Sequence, residues 1–355
     1  MGKIKKILLY LAIFIIGYII LWEATCAILI NRPALLVYMP KKVVDTVRGL
    51  YMDMARNLIQ YMPECARYDK DLTYTLKPGK CVFSNVEFRN VFSVNSMGVR
   101  DDEKSLTRPQ VIVAGDSQSM GWGVNQDETF AQLIEQKTGL TVLNTAISSY
   151  GTVREMRMLR RLDVSNLKFL IVQYHKNDAG ENETFYLKKN TLPIMSLDEY
   201  QKIAKMHAKT KRYFFGKYAL NRFRSYIIRR VRGVFGIKKR ERLQKKDQVV
   251  TGKDEAELFI NVIMNSHVDL SNVRIIVFRA IDRGDIDAKD DFIPLLRKRI
   301  SSGDYPGFIK NITALDILPI LSKDDFYVLD DHPKSSGHAK IARALIQAMG
   351  MANGK

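Results

Sequence analysis

The chain has 355 residues, 46% of them hydrophobic, and a formal net charge of +18. That is enough for one large domain or two smaller ones around a sizeable core. Three cysteines are too few for a disulfide framework or a thiolate metal site, and the five histidines show no zinc-cluster spacing.

The N-terminus reads as a membrane segment. Residues 7–22 are apolar throughout, and 24–30 continue the run after Glu23. The combined span, 7–30, is long enough to cross a bilayer as a helix. Lys3, Lys5 and Lys6 precede it as in a signal sequence, yet no small-x-small cleavage site follows and Cys26 lacks a lipobox. The pattern predicts an uncleaved transmembrane signal-anchor, with residues 1–6 cytoplasmic and the bulk of the chain exported. Arg32, Lys41, Lys42 and Arg48 follow the span closely, so charge counting does not set the orientation.

Residues 31–105 form a lead-in. Val44, Val47, Leu50, Tyr51, Met54 and Leu58 recur at helical spacing and predict a helix over 43–61. Cys65 and Cys81 come next. In an exported domain they either form a disulfide closing a loop of about 15 residues, a contribution of roughly 3 kcal/mol, or stay as two buried thiols. Residues 91–100 alternate partly like a strand and end in Asn95-Ser96-Met97-Gly98-Val99-Arg100-Asp101.

From Gln110 onward strand and helix signals alternate. Val111-Ile112-Val113-Ala114 reads as a buried strand that stops abruptly at Gly115-Asp116-Ser117, with the glycine-rich Met120-Gly121-Trp122-Gly123 behind it. A helix is predicted over 127–137, with acidic Asp127 and Glu128 in its first turn and Gly139 just past its end. Further strands are predicted at 141–146, 168–174, 273–278 and 326–329, and further helices at 153–162 and 340–349. Strands alternating with helices predict a parallel sheet covered on both faces.

Polar residues gather behind the predicted strand ends, where open α/β sheets bind their ligands. They are Ser117, then Asn144 to Thr152, then His175-Lys176-Asn177-Asp178, and finally Asp330-Asp331-His332-Pro333 leading into the last helix. Acyl transfer needs such a set: a nucleophile, a base, a carboxylate to orient the base, and donors for the oxyanion.

On these four blocks the chain resembles the SGNH/GDSL hydrolase family, in particular bacterial membrane-anchored members with an Asn-Ser-x-Gly-x-Arg-Asp stretch before the Gly-Asp-Ser strand. The resemblance covers roughly residues 65 to 350, apart from a divergent stretch near 185–260. It implies a three-layer α/β/α sandwich with a parallel flavodoxin-like sheet over 106–350. It also implies roles: Ser117 as nucleophile, His332 as base and Asp330 as its orienting carboxylate. The amides of Ser117 and Ala146 and the side chain of Asn177 would form the oxyanion hole. Many members have glycine where Ala146 stands, and many have Asp-x-x-His where this chain has Leu329 three before His332; Asp330 fits an Asp-x-His-Pro variant, and Asp331 is the second candidate. No metal and no organic cofactor is implied.

Beside these, His338 is expected to be structural, His175 and Lys176 exposed, and Trp122 either packed or lining the cleft. Between 202 and 246 stand seventeen Lys or Arg against one acid, Glu241, interleaved with aromatic and aliphatic residues. This predicts a basic helical insertion at about 185–260, either solvated or lying on anionic headgroups. Nucleic acid would suit the charge, but an exported, anchored domain rarely meets it. The expected function is that of a membrane-anchored serine esterase acting on acyl esters of a glycan or lipid, O-acetyl groups of a cell-surface glycan foremost. Two rivals are an O-acyltransferase modifying an exported polysaccharide and a non-catalytic glycan-binding subunit.

Overall fold

The computed structural model describes residues 2–234, 252–288 and 290–351, and these divide into two compact units. The larger holds a five-stranded parallel sheet of β5 (Val111–Ala114), β6 (Val142–Asn144), β7 (Phe169–Tyr174), β8 (Arg274–Arg279) and β9 (Thr313–Leu315), in the order β6-β5-β7-β8-β9. Counted within the sheet this is 2-1-3-4-5, the flavodoxin-like order, which places a topological switch point beside the first strand.

Strand alternation divides the sheet's side chains between two cores. Ile112, Ala114, Leu170, Val172, Ile275 and Val277 face a layer containing α5 (Thr152–Leu159), α6 (Asp178–Leu187), α9 (Glu255–Met264) and α10 (Phe292–Ser302). Val111, Val113, Ile171, Ile276 and Phe278 face α4 (Phe130–Thr138) and α12 (Ser335–Ala348). The chain is therefore a three-layer α/β/α sandwich. The α4 boundaries follow from local chemistry: Thr129 caps the start by accepting from the Gln132 amide, and Gly139, at φ +69, ends the helix.

The fifth strand is a correction. Residues 326–329 were expected to supply it, but Phe326 makes only a single bridge, to Pro333, and the edge is taken by β9. Asp331 sits at φ +66, so the chain doubles back here instead of running on. Three residues, Thr313 to Leu315, are too short for periodicity to reveal.

Two antiparallel hairpins precede the sheet in the same unit: β1 (Ala66–Asp69) with β2 (Thr73–Leu76), and β3 (Gly79–Asn85) with β4 (Phe88–Val94). Cys65 and Cys81 form a disulfide, which settles the open question between bridge and thiols. Phe83, Phe88 and Phe92 from the second hairpin pack around Trp122.

The smaller unit comprises residues 2–56, 206–234 and 328–330. Its α1 (Lys3–Asn31) is 29 residues long and apolar enough to cross a membrane. α2 (Lys41–Met54) is shorter than the helix expected over 43–61, ending at Met54, with a separate 3₁₀ turn at Ile59–Tyr61 in the larger unit. α7 (Leu197–Lys211) and α8 (Lys217–Val234) account for the described part of the basic stretch; its remainder, 235–246, lies outside the described residues. Cys26, Leu29, Ile30, Val47, Leu50, Tyr51, Tyr218 and Leu329 form this unit's core.

Candidate active site

The β5 strand ends at Ala114 and the chain turns directly into a short helix, α3 (Ser117–Met120). Gly115 permits that turn: a Cβ there would lie 2.7 Å from both Gln173 Oε1 and Ser119 Oγ. Gln173, wholly buried on β7, accepts from the amides of Asp116 (3.0 Å) and Ser119 (3.3 Å). Asp116 caps the helix through the Gln118 amide, 2.9 Å, and its carbonyl accepts from Met120. Among the described residues the Ser117 amide, at the first position of α3, has no acceptor within this turn. A helix N-terminus leaves such amides free to bind negative charge.

His332 Nε2 lies 2.8 Å from Ser117 Oγ. The two residues are brought together by the doubled-back segment after Tyr327, where the Tyr327 amide donates to the His332 carbonyl (3.0 Å) and the Tyr327 hydroxyl to the Gly123 carbonyl (2.7 Å). The imidazole stacks on Trp122, which is itself 1% exposed. Trp122 is thus packed, the first of its two readings, and from that buried position it supports the imidazole.

The loop after β6 is braced against β5. The Thr145 amide donates to the Val113 carbonyl and the Ile147 amide to the Gly115 carbonyl, which sets Ala146 alongside Gly115. The Ala146 amide itself donates to Asn144 Oδ1 at 3.1 Å, while Asn144 Nδ2 donates to the Ser119 carbonyl at 2.9 Å. Asn144 therefore ties the β6 loop to the turn that carries Ser117.

The Asn95–Asp101 stretch serves as a second brace. Arg100 is wholly buried and donates to the carbonyls of Met120 (3.1 Å) and Val124 (2.7 Å), on either side of Gly121, which stands at φ +86. Asp101 Oδ2 accepts from the Asn144 amide at 2.7 Å, and burial pushes its carboxyl up to about 7.

Behind β7, Asn177 is exposed at the start of α6, and its Oδ1 lies 2.7 Å from His175 Nδ1. His175 is buried, against the expectation of exposure, because β7 is an inner strand and carboxylates surround the ring. Its Nδ1 lies 3.7 Å from Asp116 Oδ2, and its Nε2 3.4 Å from Asp282 Oδ1. Burial alone would push this imidazole down, but Asp282 and Asp116 outweigh it and raise it to about 9. A protonated His175 donates from Nδ1 to Asn177 Oδ1, which leaves Nδ2 as the donor of the Asn177 side chain. Lys176 is half-exposed and pairs with Asp282 (2.6 Å) and Asp285. A cleft of about 170 Å³ opens beside His175 and Lys176, walled also by Arg279, Ile281 and Asp285.

Asp178 and Glu155 are wholly buried nearby, each pushed well above the usual carboxylate range by burial first and then by neighbouring acids. His338 accepts from the Phe130 amide at 3.2 Å, and burial drives it down to about 3, so it is a neutral structural group as expected.

Asp330 lies within the smaller unit, wholly buried. The Tyr51 hydroxyl donates to its Oδ2, and Arg56 Nη2 stands 3.2 Å from its Oδ1.

Sequence reasoning missed Gln173 and Asn144 as supports of the turn that carries Ser117. Gln173 alone carried a visible signal, an amide inside an otherwise apolar strand.

No family model matches the chain, and no curated protein matches it. Among solved structures it is similar to a lipolytic protein of the G-D-S-L family from Veillonella parvula, at 9% identity over 68% of this chain and 98% of that one, with a TM-score of 0.37. It is also similar to an acetylxylan esterase from Geobacillus stearothermophilus, at 12% identity over 70% and 96%, with a TM-score of 0.32. A carbohydrate esterase is similar at 12% identity, 68% and 65% coverage and a TM-score of 0.39. In this chain the sheet has the flavodoxin-like strand order, and Ser117 and His332 meet within the unit that carries it.

Proposed function

We propose that the protein is a membrane-anchored serine esterase of SGNH type that cleaves acyl esters, with O-acetyl groups of a cell-surface glycan as its substrate. The observation that carries this reading is the 2.8 Å contact between His332 Nε2 and Ser117 Oγ at the C-terminal edge of the sheet. His332 takes the hydroxyl proton as Ser117 attacks the ester carbonyl, and later returns it to the leaving alcohol. The Ser117 amide, which has no acceptor in its turn, and the Asn177 Nδ2 group donate to the oxyanion. The Ala146 amide joins them by sharing its proton between Asn144 Oδ1 and the new negative charge. Asp330, two residues before His332 in the chain, is assigned by the family resemblance to orient the imidazole.

The membrane placement is supported by α1 and by the Cys65–Cys81 disulfide, a bond that persists in oxidising compartments. We place the single-pass anchor in the bacterial inner membrane with the sheet-bearing unit on the periplasmic or extracellular side. The cleft beside His175 and Lys176 mixes charged walls with Ala280, Ile281 and Ala288, a lining that we propose suits a sugar ring and its hydroxyls.

The test is acetate release from an O-acetylated oligosaccharide by the full-length protein and by Ser117→Ala. Release that vanishes in the variant supports the esterase. Wild-type transfer of acetyl to an added unacetylated oligosaccharide, without free acetate, would replace hydrolysis by acyl transfer. Activity retained by Ser117→Ala would sink both.

A further inference from the structure

Glu23 interrupts the apolar α1, yet it is only 3% exposed. A carboxylate inside a membrane-spanning helix is costly unless its oxygens find donors. Here the Ala219 amide donates to Oε1 at 2.8 Å and the Tyr213 hydroxyl to Oε2 at 3.3 Å. Ala219 lies in the first turn of α8, where amides have no intrahelical acceptor and the helix dipole favours negative charge. Glu23 therefore caps α8 from the neighbouring helix and fixes α8 against the span. Lys217 secures the same end by donating from Nζ to the carbonyl of Met54, the last residue of α2.

Beyond that capped end, α1 and α8 enclose a groove of about 270 Å³ lined by Tyr18, Trp22, Ala219, Arg222, Phe223 and Tyr226. Its walls are aromatic, but its edge is cationic. Arg222, Tyr226 and Arg230 step by four along α8 and so share a face. Arg230 Nε donates to the Tyr226 hydroxyl at 2.9 Å, with its guanidinium 5.3 Å from the ring. Phe214, Phe215, Leu220, Phe223 and Ile227 are all exposed. Apolar surface of this extent marks a membrane or partner site. The sequence around it carries almost the whole positive excess of the chain, and Arg side chains flanking an apolar helix face suit anionic headgroups.

We propose that the α1–α8 groove binds one anionic phospholipid, its acyl chain against Tyr18, Trp22 and Phe223 and its phosphate on Arg222 and Arg230. The site rests on the reading of α1 as a membrane span. Arg supplies the planar fork of donors that a phosphate oxygen pair accepts, and the aromatic walls supply the apolar contact that a free phosphate could not use.

The chain has two tryptophans, Trp22 in this groove and Trp122, which is 1% exposed in the other unit. Fluorescence of the full-length protein in phosphatidylcholine–phosphatidylglycerol vesicles therefore reports the groove, with Trp22→Phe giving the Trp122 background. One lipid at a time, at equal mole fraction, carries brominated chains. Brominated phosphatidylglycerol is expected to quench Trp22 more strongly than brominated phosphatidylcholine. Arg222→Gln combined with Arg230→Gln is expected to erase that excess while leaving quenching by phosphatidylcholine in place. Equal quenching by the two lipids in the wild type, or an excess that survives in the double variant, overturns the lipid site and leaves the anchor standing. Absence of quenching by either lipid overturns the anchor and the site together.

Discussion

The imidazole of His332 lies nearly parallel to the indole of Trp122, with ring centroids 4.9 Å apart and planes 17° apart. The indole is in turn wedged edge-on against Phe83, 4.5 Å between centroids, in the aromatic cluster of the second hairpin. The hairpin thus sets the plane in which the histidine ring can sit. Stacked aromatic pairs contribute about 0.5–1.5 kcal/mol beyond their burial. Trp122→Phe keeps a ring but shrinks the stacking face, so kcat on a chromogenic acetate ester is expected to fall by up to about tenfold with KM little changed. A change in KM alone would make Trp122 a substrate contact instead.

Asn177 offers the second prediction. Because His175 occupies its Oδ1, the group left to act is the amide nitrogen, a donor. Asn177→Ala is expected to lower kcat by roughly 100- to 1000-fold, the usual loss for one oxyanion donor. A drop confined to substrate affinity would assign Asn177 to binding.

The parts of this site that were legible in the sequence are those whose chemistry is local. Ser117 was marked by an apolar strand ending in Gly-Asp-Ser, and His332 by its place before the last helix. Parallel strands place Ser117 at a strand end, but His332 directly follows no strand of the sheet and meets Ser117 through the doubled-back segment after Tyr327. Of the supports, Gln173 alone left a trace, as an amide within an apolar strand. Trp122 and Arg100 act through contacts with residues distant in the chain, and no spacing rule encodes such contacts. His175 was misread because a histidine after a strand is by default a loop residue; the carboxylates beside it come from the turn after β5 and from the segment after β8. Likewise the turn at Asp331 depends on a left-handed backbone that aspartate tolerates but does not announce.

The surroundings of His175 give the third prediction, for stability against pH. Burial lowers its affinity for the proton, but Asp282, Asp116 and Asp178 raise it further, to about 9 against an ordinary 6.5. Lys176 shares Asp282 and so belongs to the same network. A folded-state value above the unfolded one means that stability from this group is fully present below pH 6.5 and is lost as pH rises through about 9. The contribution is on the order of 3 kcal/mol. Denaturant unfolding of the wild type should therefore weaken across that window, and His175→Gln should lack that component of the decline. An identical pH slope in the variant would show that His175 is not protonated in the folded protein.

The last prediction concerns the carboxylate that we propose orients His332. An extended segment would have put Asp330 and His332 on one face, since residues two apart share a side. That premise fails, because Asp331 stands at φ +66 and the backbone turns between them. A different argument favours Asp330. It is wholly buried, its Oδ2 accepts from the Tyr51 hydroxyl, and Arg56 faces its Oδ1 at 3.2 Å. A carboxylate gripped from two sides has a fixed orientation, which is what a group that selects an imidazole tautomer requires. Removing such a carboxylate while keeping its shape costs roughly 10,000-fold in the serine-protease case. Asp330→Asn is therefore expected to lose activity on that scale, and Asp331→Asn to retain most of it. Tyr51→Phe, which removes one hydrogen bond from Asp330, should cost about tenfold or less, and a loss in kcat and not in KM would mark the effect as passing through the histidine. The reverse ranking of the two asparagine variants would transfer the role to Asp331 and leave the Tyr51–Arg56 grip as a purely structural device.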